Sequence, residues 1–329
     1  MAAENSNRHE VLERLRRIAD ARRMLAIVGS MNADYTVETK RLPGPGETVN
    51  GGPLRILPGG KSGNQAATAA KIGAKVQMLG AVGSDANAEF LVGELRKAGV
   101  NADAVAHVDG ASGTTVITVD AEGENTIVYS PGSNAKVTPE YVREHAEVIE
   151  HAAVLGLCLE SPMGTVIEAS RIAHEAGVKV LVNDSPFVPH LPDELVSNSD
   201  ILLVNEHEMS QLLGVDEPED GDWGGVDWNS IAIRMEEFGY SQAVITLGGD
   251  GSMVVDHGQA HRIMPVTVDT VDTTGCGDSF MGTVLAGLAA GMSLIESAEI
   301  AAYVAAYAAT GHGAQASYGT SEQIRMLFE

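Results

Sequence analysis

The sequence predicts an α/β fold in which a mostly parallel sheet is covered by helices on both faces, and three observations carry that prediction. Continuous apolar runs at 24–29, 76–82, 153–157, 178–183, 201–204 and 243–247 have the length and character of strands buried on both sides. Helical apolar spacing near 64–72, 87–98, 138–150, 163–176, 206–213 and 228–239 follows them, giving the β–α alternation that parallel pairing needs. At 329 residues and 44% apolar, the chain can bury one large core.

Residues 5–23 have amphipathic spacing (Val11, Leu12, Leu15, Ile18, Ala19), and residues 1–22 are expected to form a surface appendage to a single domain at 23–329. The first apolar run is followed by Asn32 and Asp34, whose spacing sends both side chains to one face of an extended segment. Open α/β sheets take ligands at such strand ends. Residues 35–58 are rich in Gly and Pro and break the rhythm, as does Thr114 to Tyr129, which alternates as strand, turn and strand. Neither piece belongs to a βαβ core, and an edge hairpin or a small lid fits both. Pro58 to Ala66 forms a glycine loop opening an alanine-rich helix that Gly73 can end. Gly60-Lys61-Ser62 is not a phosphate-binding P-loop, because Arg55 stands where that motif needs glycine.

Asp216 to Trp228 holds six acids and no base and predicts a solvated loop, with Trp223 and Trp228 packing locally. Residues 280–310 are rich in Ala and Gly, but Glu296, Glu299 and the break at Gly291 favour two closely packed buried helices over a membrane hairpin. A formal charge of −24, from 21 Lys+Arg against 45 Asp+Glu, disfavours nucleic acid and anionic membrane as partners. The two cysteines, Cys158 and Cys276, have no metal-ligand or disulfide spacing. No signal peptide or uncharged apolar span is legible, so a soluble, cytoplasmic protein is expected.

The most chemical segment is Val271 to Phe280. Glycines at 275 and 277 let backbone N–H groups converge on an anion, and the following helix adds the positive end of its dipole. Asp278, just behind, can receive a proton from an attacking hydroxyl. The spacing Phe280, Val284, Leu285, Leu288 buries one face of that helix and aims the loop. Two glycine loops far apart in sequence imply two ligands.

Landmarks in order are Gly29 to Asp34, Pro45-Gly46-Glu47-Thr48, Gly59 to Ala66, Leu159-Glu160-Ser161-Pro162, Asn205-Glu206-His207-Glu208, Thr246-Leu247-Gly248, Asp272 to Asp278 and Gly313-Ala314-Gln315. With these, the chain resembles the PfkB/ribokinase family of carbohydrate kinases over roughly residues 24–320. The resemblance implies a ribokinase-like three-layer αβα sandwich with a β lid, built from segments about 35–58 and 112–131, that closes over sugar and pairs two subunits into a homodimer. It implies ATP-dependent phosphorylation of a sugar, D-ribose at its 5-hydroxyl ahead of fructose, 2-keto-3-deoxygluconate or a nucleoside. Asp278 is then the base, and Gly275, Cys276 and Gly277 supply N–H donors to the transferring group. Asn32, Asp34, Gly59, Gly60, Lys61, Asn64 and Glu160 hold the sugar. Asn205, Thr246, Gly248, Gly251 and Gly277 hold the nucleotide, with adenine against the helix carrying Ala302, Tyr303 and Ala306.

The resemblance further implies Mg²⁺ near Asn205 and Glu208, reached through water, as suits an ion that keeps part of its hydration shell. An activating K⁺ is implied at Asp272, the carbonyls of Thr274, Ala308, Gly311 and Gly313, and the Ser317 hydroxyl. A polyanionic protein must in any case attract ATP through local donors and a divalent cation. Three positions depart from the family pattern: Ser62-Gly63 for Gly-Ala, Cys276 for Ala, and Asn183-Asp184-Ser185-Pro186 for Asn-Pro-Ala-Pro. The second puts a thiol beside the phosphoryl site, so alkylation at Cys276 is expected to inactivate. A silent sugar or nucleotide sensor is the rival from another class, opposed by retention of Asp278, Asn205 and Glu208. A dinucleotide oxidoreductase is excluded because no Gly-x-Gly-x-x-Gly follows the first strand.

Overall fold

Apolar residues on alternate sides of short strands leave a sheet no solvent face, and the chain solves this by sandwiching the sheet between helices. The computed structural model describes residues 2–219 and 221–329; Met1 of the terminal extension and Asp220 of the acidic insertion lie outside the described residues. The strands are β1 (Met24–Val28), β2 (Asn32–Glu38), β3 (Arg55–Gly59), β4 (Lys75–Leu79), β5 (Ala81–Val82), β6 (Ala106–His107) and β7 (Gly113–Val119). They continue with β8 (Asn125–Ser130), β9 (Val154–Cys158), β10 (Lys179–Asn183), β11 (Ile201–Asn205), β12 (Gln242–Thr246), β13 (Ser252–Asp256) and β14 (Gln259–Ile263). Eight of them form the central sheet in the order β14-β13-β12-β11-β10-β9-β1-β4. Pairing is parallel from β4 to β12 and antiparallel only at the β13 and β14 edge.

Alternation along β1 shows how the layers are made. Leu25 and Ile27 enter one buried cluster with helices Lys61–Lys71, Cys276–Ala289 and Leu294–Ala308, while Ala26 and Val28 enter another with Met163–Glu175, Glu206–Leu213 and Trp228–Phe238. The run at 76–82 becomes two strands because Gly80 lets the chain pass close to β1: a Cβ there would lie 2.4 Å from the Gly29 carbonyl oxygen. Beyond it, β5 leaves the sheet to pair with β6. The β13–β14 hairpin was not anticipated, since its outer strand, Gln-Ala-His-Arg-Ile, carries no apolar run.

The two pieces outside the βαβ rhythm join in one four-stranded sheet, β3-β2-β7-β8, with β2 and β7 parallel. Its root lies earlier than expected: β2 begins at Asn32, so Asn32 and Asp34 belong to this small sheet. Leu54, Ile56, Val116, Ile127 and Val128 remain exposed around it.

The N-terminal segment corrects the sequence-based expectation. Helix Ala2–Asp20 is no surface appendage, because Val11, Leu12, Leu15 and Ile18 are buried within the core cluster of helices Cys276–Ala289 and Leu294–Ala308. Arg14 pairs with Glu299, and Arg325 meets Glu13 at 3.3 Å, so charges close the seam. Spacing revealed the apolar stripe but not the surface waiting for it. Among the described residues, no helix is long and apolar enough to cross a membrane.

Candidate active site

Parallel strands release their polar termini along one edge of the sheet, and the candidate residues collect there. β1 leads to Asn32 and Asp34, β9 to Glu160, β10 to Asp184, β11 to Asn205 and β12 to Thr246. Helices Lys61–Lys71 and Cys276–Ala289, which pack against each other, bring Lys61, Asn64 and Asp278 to the same edge.

Asp278 is the meeting point. Its Oδ2 accepts from Asn64 Nδ2 at 2.8 Å and its Oδ1 from Gln65 Nε2 at 3.4 Å. Gln315 Nε2 donates to Asn64 Oδ1 at 3.1 Å, which settles that Asn64 presents its amine to the carboxylate. Burial raises the Asp278 pKa, Lys61 and Asn64 oppose that shift, and Glu160 adds to it. The result is a stronger base than a solvated aspartate.

Asp34 accepts a hydrogen bond from the Thr115 hydroxyl and lies directly over the Gly59 backbone, where a Cβ would stand 1.9 Å from Asp34 Oδ2. Burial pushes Asp34 up to about 6 against the Thr115 bond, and the charges of Glu160 and Asp278 push the same way. Gly60, at φ 85°, brings the loop against the Asn32 and Met31 backbone. Glu160 accepts from the Ser30 hydroxyl and, at 3.2 Å, from the Lys61 N–H. Burial works against the charge on the Lys61 amine, but Asp278 and Glu160, with Cys158 and Glu208, hold its pKa above the ordinary value. Asn32 is buried, and its Oδ1 accepts from Asn134 Nδ2 at 2.7 Å.

At the end of β11, Asn205 and Glu208 form a reciprocal cap on helix Glu206–Leu213: the Glu208 N–H reaches Asn205 Oδ1 at 2.7 Å, and the Asn205 N–H reaches Glu208 Oε2 at 2.8 Å. Glu208 also hydrogen-bonds Ser185, and burial raises its pKa against these donors and the charge of Lys61. Thr246 ends β12 ahead of the turn Gly248–Asp250, and Gly251, at φ 92°, passes where a Cβ would be 2.3 Å from the Ile263 carbonyl oxygen.

In the glycine loop, Gly275 takes φ 77° and caps helix Cys276–Ala289. One expectation is corrected here: the Cys276 N–H donates to the Thr273 carbonyl at 3.1 Å, so it closes the turn and does not face an anion. Exposed Gly277, in the first helical turn, offers the outward N–H instead. Burial also pushes the Cys276 thiol up to about 11, with Asp272 and Asp278 adding to it, so it stays protonated.

Asp272 accepts from the Thr274 N–H at 2.9 Å and the Gly313 N–H at 2.8 Å. Burial opposes its charge, yet these donors and His312 hold it below the usual carboxylate pKa. Across the loop, a Cβ at Gly311 would stand 2.9 Å from Ser317 Cβ and 4.0 Å from the Ala308 carbonyl oxygen, so those groups are neighbours. The Ser317 hydroxyl itself donates to the Ala314 carbonyl at 2.9 Å, which leaves its oxygen lone pairs outward. An ionised carboxylate amid carbonyl and hydroxyl oxygens fits a weakly hydrated monovalent cation.

Tyr303 is turned elsewhere. Its ring meets Phe328 edge-on at 5.3 Å and its hydroxyl meets Arg8, so it serves the docking of the terminal helices and not an adenine ring.

Thr115, Asn134, Ser30, Gln65 and Gln315 were not assigned from sequence. Ser30, Gln65 and Gln315 stood inside recognised landmarks; Thr115 and Asn134 gave no signal, since they meet Asp34 and Asn32 only once distant segments fold together.

Asp184 is a departure with a consequence for stability. It is fully buried, its Oδ1 accepts from the Val188 N–H at 2.9 Å, and its Oδ2 has no hydrogen-bond partner. Burial, aided by Glu208, pushes it up to about 6 from 3.8. Between those values the folded chain holds a proton that the unfolded chain has lost, so stability falls as pH rises through that window and stays lowered above it. Asp184→Asn, which keeps the acceptor and removes the charge, is expected to raise the thermal midpoint at pH 8 by about 2–4 °C. The gain should vanish below about pH 4. A gain of equal size at both pH values in calorimetry would refute the charge explanation.

Residues 22–321 match the pfkB family carbohydrate kinase domain. The chain belongs to this family of carbohydrate kinases. It is 36% identical over 303 residues to a ribokinase of Schizosaccharomyces pombe, a match covering 89% of this chain and 94% of that one. It is also 31% identical over 302 residues to a deoxyribokinase of Salmonella typhimurium, covering 91% and 97%. The structure of Arabidopsis thaliana ribokinase complexed with ribose and ATP superposes with a TM-score of 0.84 at 30% identity, covering 93% of this chain and 99% of that one.

Proposed function

We propose that this carbohydrate kinase transfers the terminal phosphoryl group of ATP to the 5-hydroxyl of D-ribose, giving ribose 5-phosphate and ADP. The observation carrying it is the placement of Asp278, held by Asn64 and Gln65 at the start of a helix and within the electrostatic reach of Asp34, Lys61 and Glu160. Asp34, Asn64, Glu160 and the Gly59–Gly60 backbone supply the fixed donors and acceptors that a polyol needs. The 5-oxygen attacks phosphorus in line, the bond from phosphorus to the β–γ bridging oxygen breaks, and the hydroxyl proton passes to Asp278. The Gly275–Gly277 loop and Lys61 take up negative charge on the transferring group. Thr246, Gly248 and Gly251 border the nucleotide.

Asn205 and Glu208 would hold Mg²⁺ through water, and the ion supplies neutralisation of the phosphates. Asp272, the carbonyls of Thr274, Ala308, Gly311 and Gly313, and Ser317 would hold K⁺. A cation held there would lend its charge to the neighbouring anion loop. A coupled ADP-release assay across D-ribose, 2-deoxyribose, fructose, 2-keto-3-deoxygluconate and nucleosides, each with and without K⁺, tests the assignment. Highest kcat/KM on ribose with K⁺ stimulation supports it; a preference for 2-deoxyribose would shift the assignment to the activity named for the Salmonella relative.

The apolar face of the small sheet that carries Ile56, Val116 and Val128, aligned in one cross-strand row through Tyr35, is read as the contact of a homodimer, which would cover those three residues. Val128→Glu is expected to convert a sedimenting dimer into monomer, and an unchanged sedimentation coefficient would reject that contact. Free Cys158 and Cys276 suit a reducing, cytoplasmic setting.

A further inference from the structure

The loop that closes behind the glycine turn does more than supply oxygen atoms. Residues 309–318 are stitched to residues 271–275 at several places. The Ala309 carbonyl accepts from the Val271 N–H at 2.8 Å, and Asp272 accepts from the Gly313 N–H at 2.8 Å. The third stitch is a side chain: the Tyr318 hydroxyl donates to the Gly275 carbonyl at 2.9 Å. Tyr318 is only 4% exposed, its ring packed with Ala67, Ala308 and Ala314. Lys71 Nζ holds the same loop from beneath, donating to the carbonyls of Gln315 at 2.7 Å and Tyr318 at 2.9 Å.

Glycine at 275 makes this approach possible. Its φ of 77° is left-handed, and a Cβ there would lie 2.5 Å from the Tyr318 hydroxyl oxygen and 2.6 Å from Ala314 Cβ. The Gly275 carbonyl also accepts from the Ser279 N–H at 2.8 Å, so both of its lone pairs are engaged. The peptide joining 275 to 276 is planar, and its other end, the Cys276 N–H, is held by the Thr273 carbonyl at 3.1 Å. That peptide unit is thus fixed at both ends, and the next N–H, on Gly277, departs from it in a set direction.

We infer that Tyr318 is a positioning residue for phosphoryl transfer: its hydroxyl locks the 275–276 peptide and thereby aims the Gly277 N–H at the transferring group. The inference rests on the kinase function proposed above. A preorganised donor contributes most where charge develops, so its loss should appear in kcat.

Tyr318→Phe keeps the ring and removes only the donor. Expected is a fall in kcat of about tenfold with sugar KM changed less than about twofold, and faster amide hydrogen exchange at Cys276 and Gly277. The thermal midpoint should move by no more than about 3 °C, the size of one lost hydrogen bond in a domain this large. Wild-type kcat together with wild-type exchange overturns the inference, as does a loss carried entirely by sugar KM or by the thermal midpoint. Exchange is measured without substrate, so it judges the clamp even if the unaltered chain turns over no sugar, a result that would instead remove the proposed function.

Discussion

Replacing Asp278 by Asn is expected to reduce turnover by about 10³-fold or more while leaving sugar binding nearly intact. The substitution keeps an oxygen for Asn64 Nδ2, now 2.8 Å away, so the helix start and the amide chain from Gln315 through Asn64 should survive. What disappears is the proton acceptor. Burial raises the pKa of Asp278 against the pull of Lys61 and Asn64, which makes it a better base than free aspartate. The same shift sets the direction of the acid limb: kcat should fall on acidification at a pH above that of an unperturbed aspartate, as the carboxylate takes up a proton. Steady-state ADP release, with ribose binding by calorimetry, measures both parts. Turnover within tenfold of the unaltered chain would take Asp278 out of the proton-transfer step and leave the site with positioning alone.

How far this site was readable before folding depends on the kind of contact involved. Asp278, Gly275 and Gly277 announce themselves because the loop, its helix and its base are adjacent in sequence, and local geometry does the rest. The strands were legible for a related reason: burial on both faces writes an uninterrupted apolar run, as at 201–204 and 243–247, whereas the polar edge strand Gln259–Ile263 writes none. Contacts that join distant elements left little trace. Thr115 reaches Asp34 only because β7 lies beside β2 in register, and Asn134 reaches Asn32 from the short 3-10 turn Gly132–Lys136 that follows β8. The terminal helix shows the same limit: Leu15 and Ile18 reveal an apolar stripe, but its cover comes from helices near the other end of the chain. Cys276 was misjudged for a different reason. The glycines around it suggest that its N–H faces an anion, while in the folded loop that N–H closes the turn onto the Thr273 carbonyl.

Gly59→Ala should cost sugar affinity by about 10²-fold with the fold and the ATP dependence kept, because the clash it creates is with one functional side chain. A methyl group at 59 would lie 1.9 Å from Asp34 Oδ2 and 2.5 Å from its Cγ, distances no rotation of the alanine can relieve. Gly59 does not have a left-handed φ, so the backbone itself accepts alanine, in contrast to Gly60, where φ is 85° and the obstacle is the Met31 and Asn32 backbone. Asp34 must therefore leave its bond to Thr115 and swing from the position in which it can accept sugar hydroxyls. The unaltered chain should show the complementary pH effect: Asp34 is pushed up to about 6 by burial and by Glu160 and Asp278, so ribose binding weakens as pH falls through that value and the acceptor becomes a carboxylic acid. In Gly59→Ala that pH dependence should be largely absent, since the group responsible has already been displaced. Ribose affinity measured from pH 5 to pH 8 in both proteins separates this account from simple crowding of the pocket, which would lower affinity equally at every pH; parallel curves for the two proteins would remove Asp34 from sugar recognition.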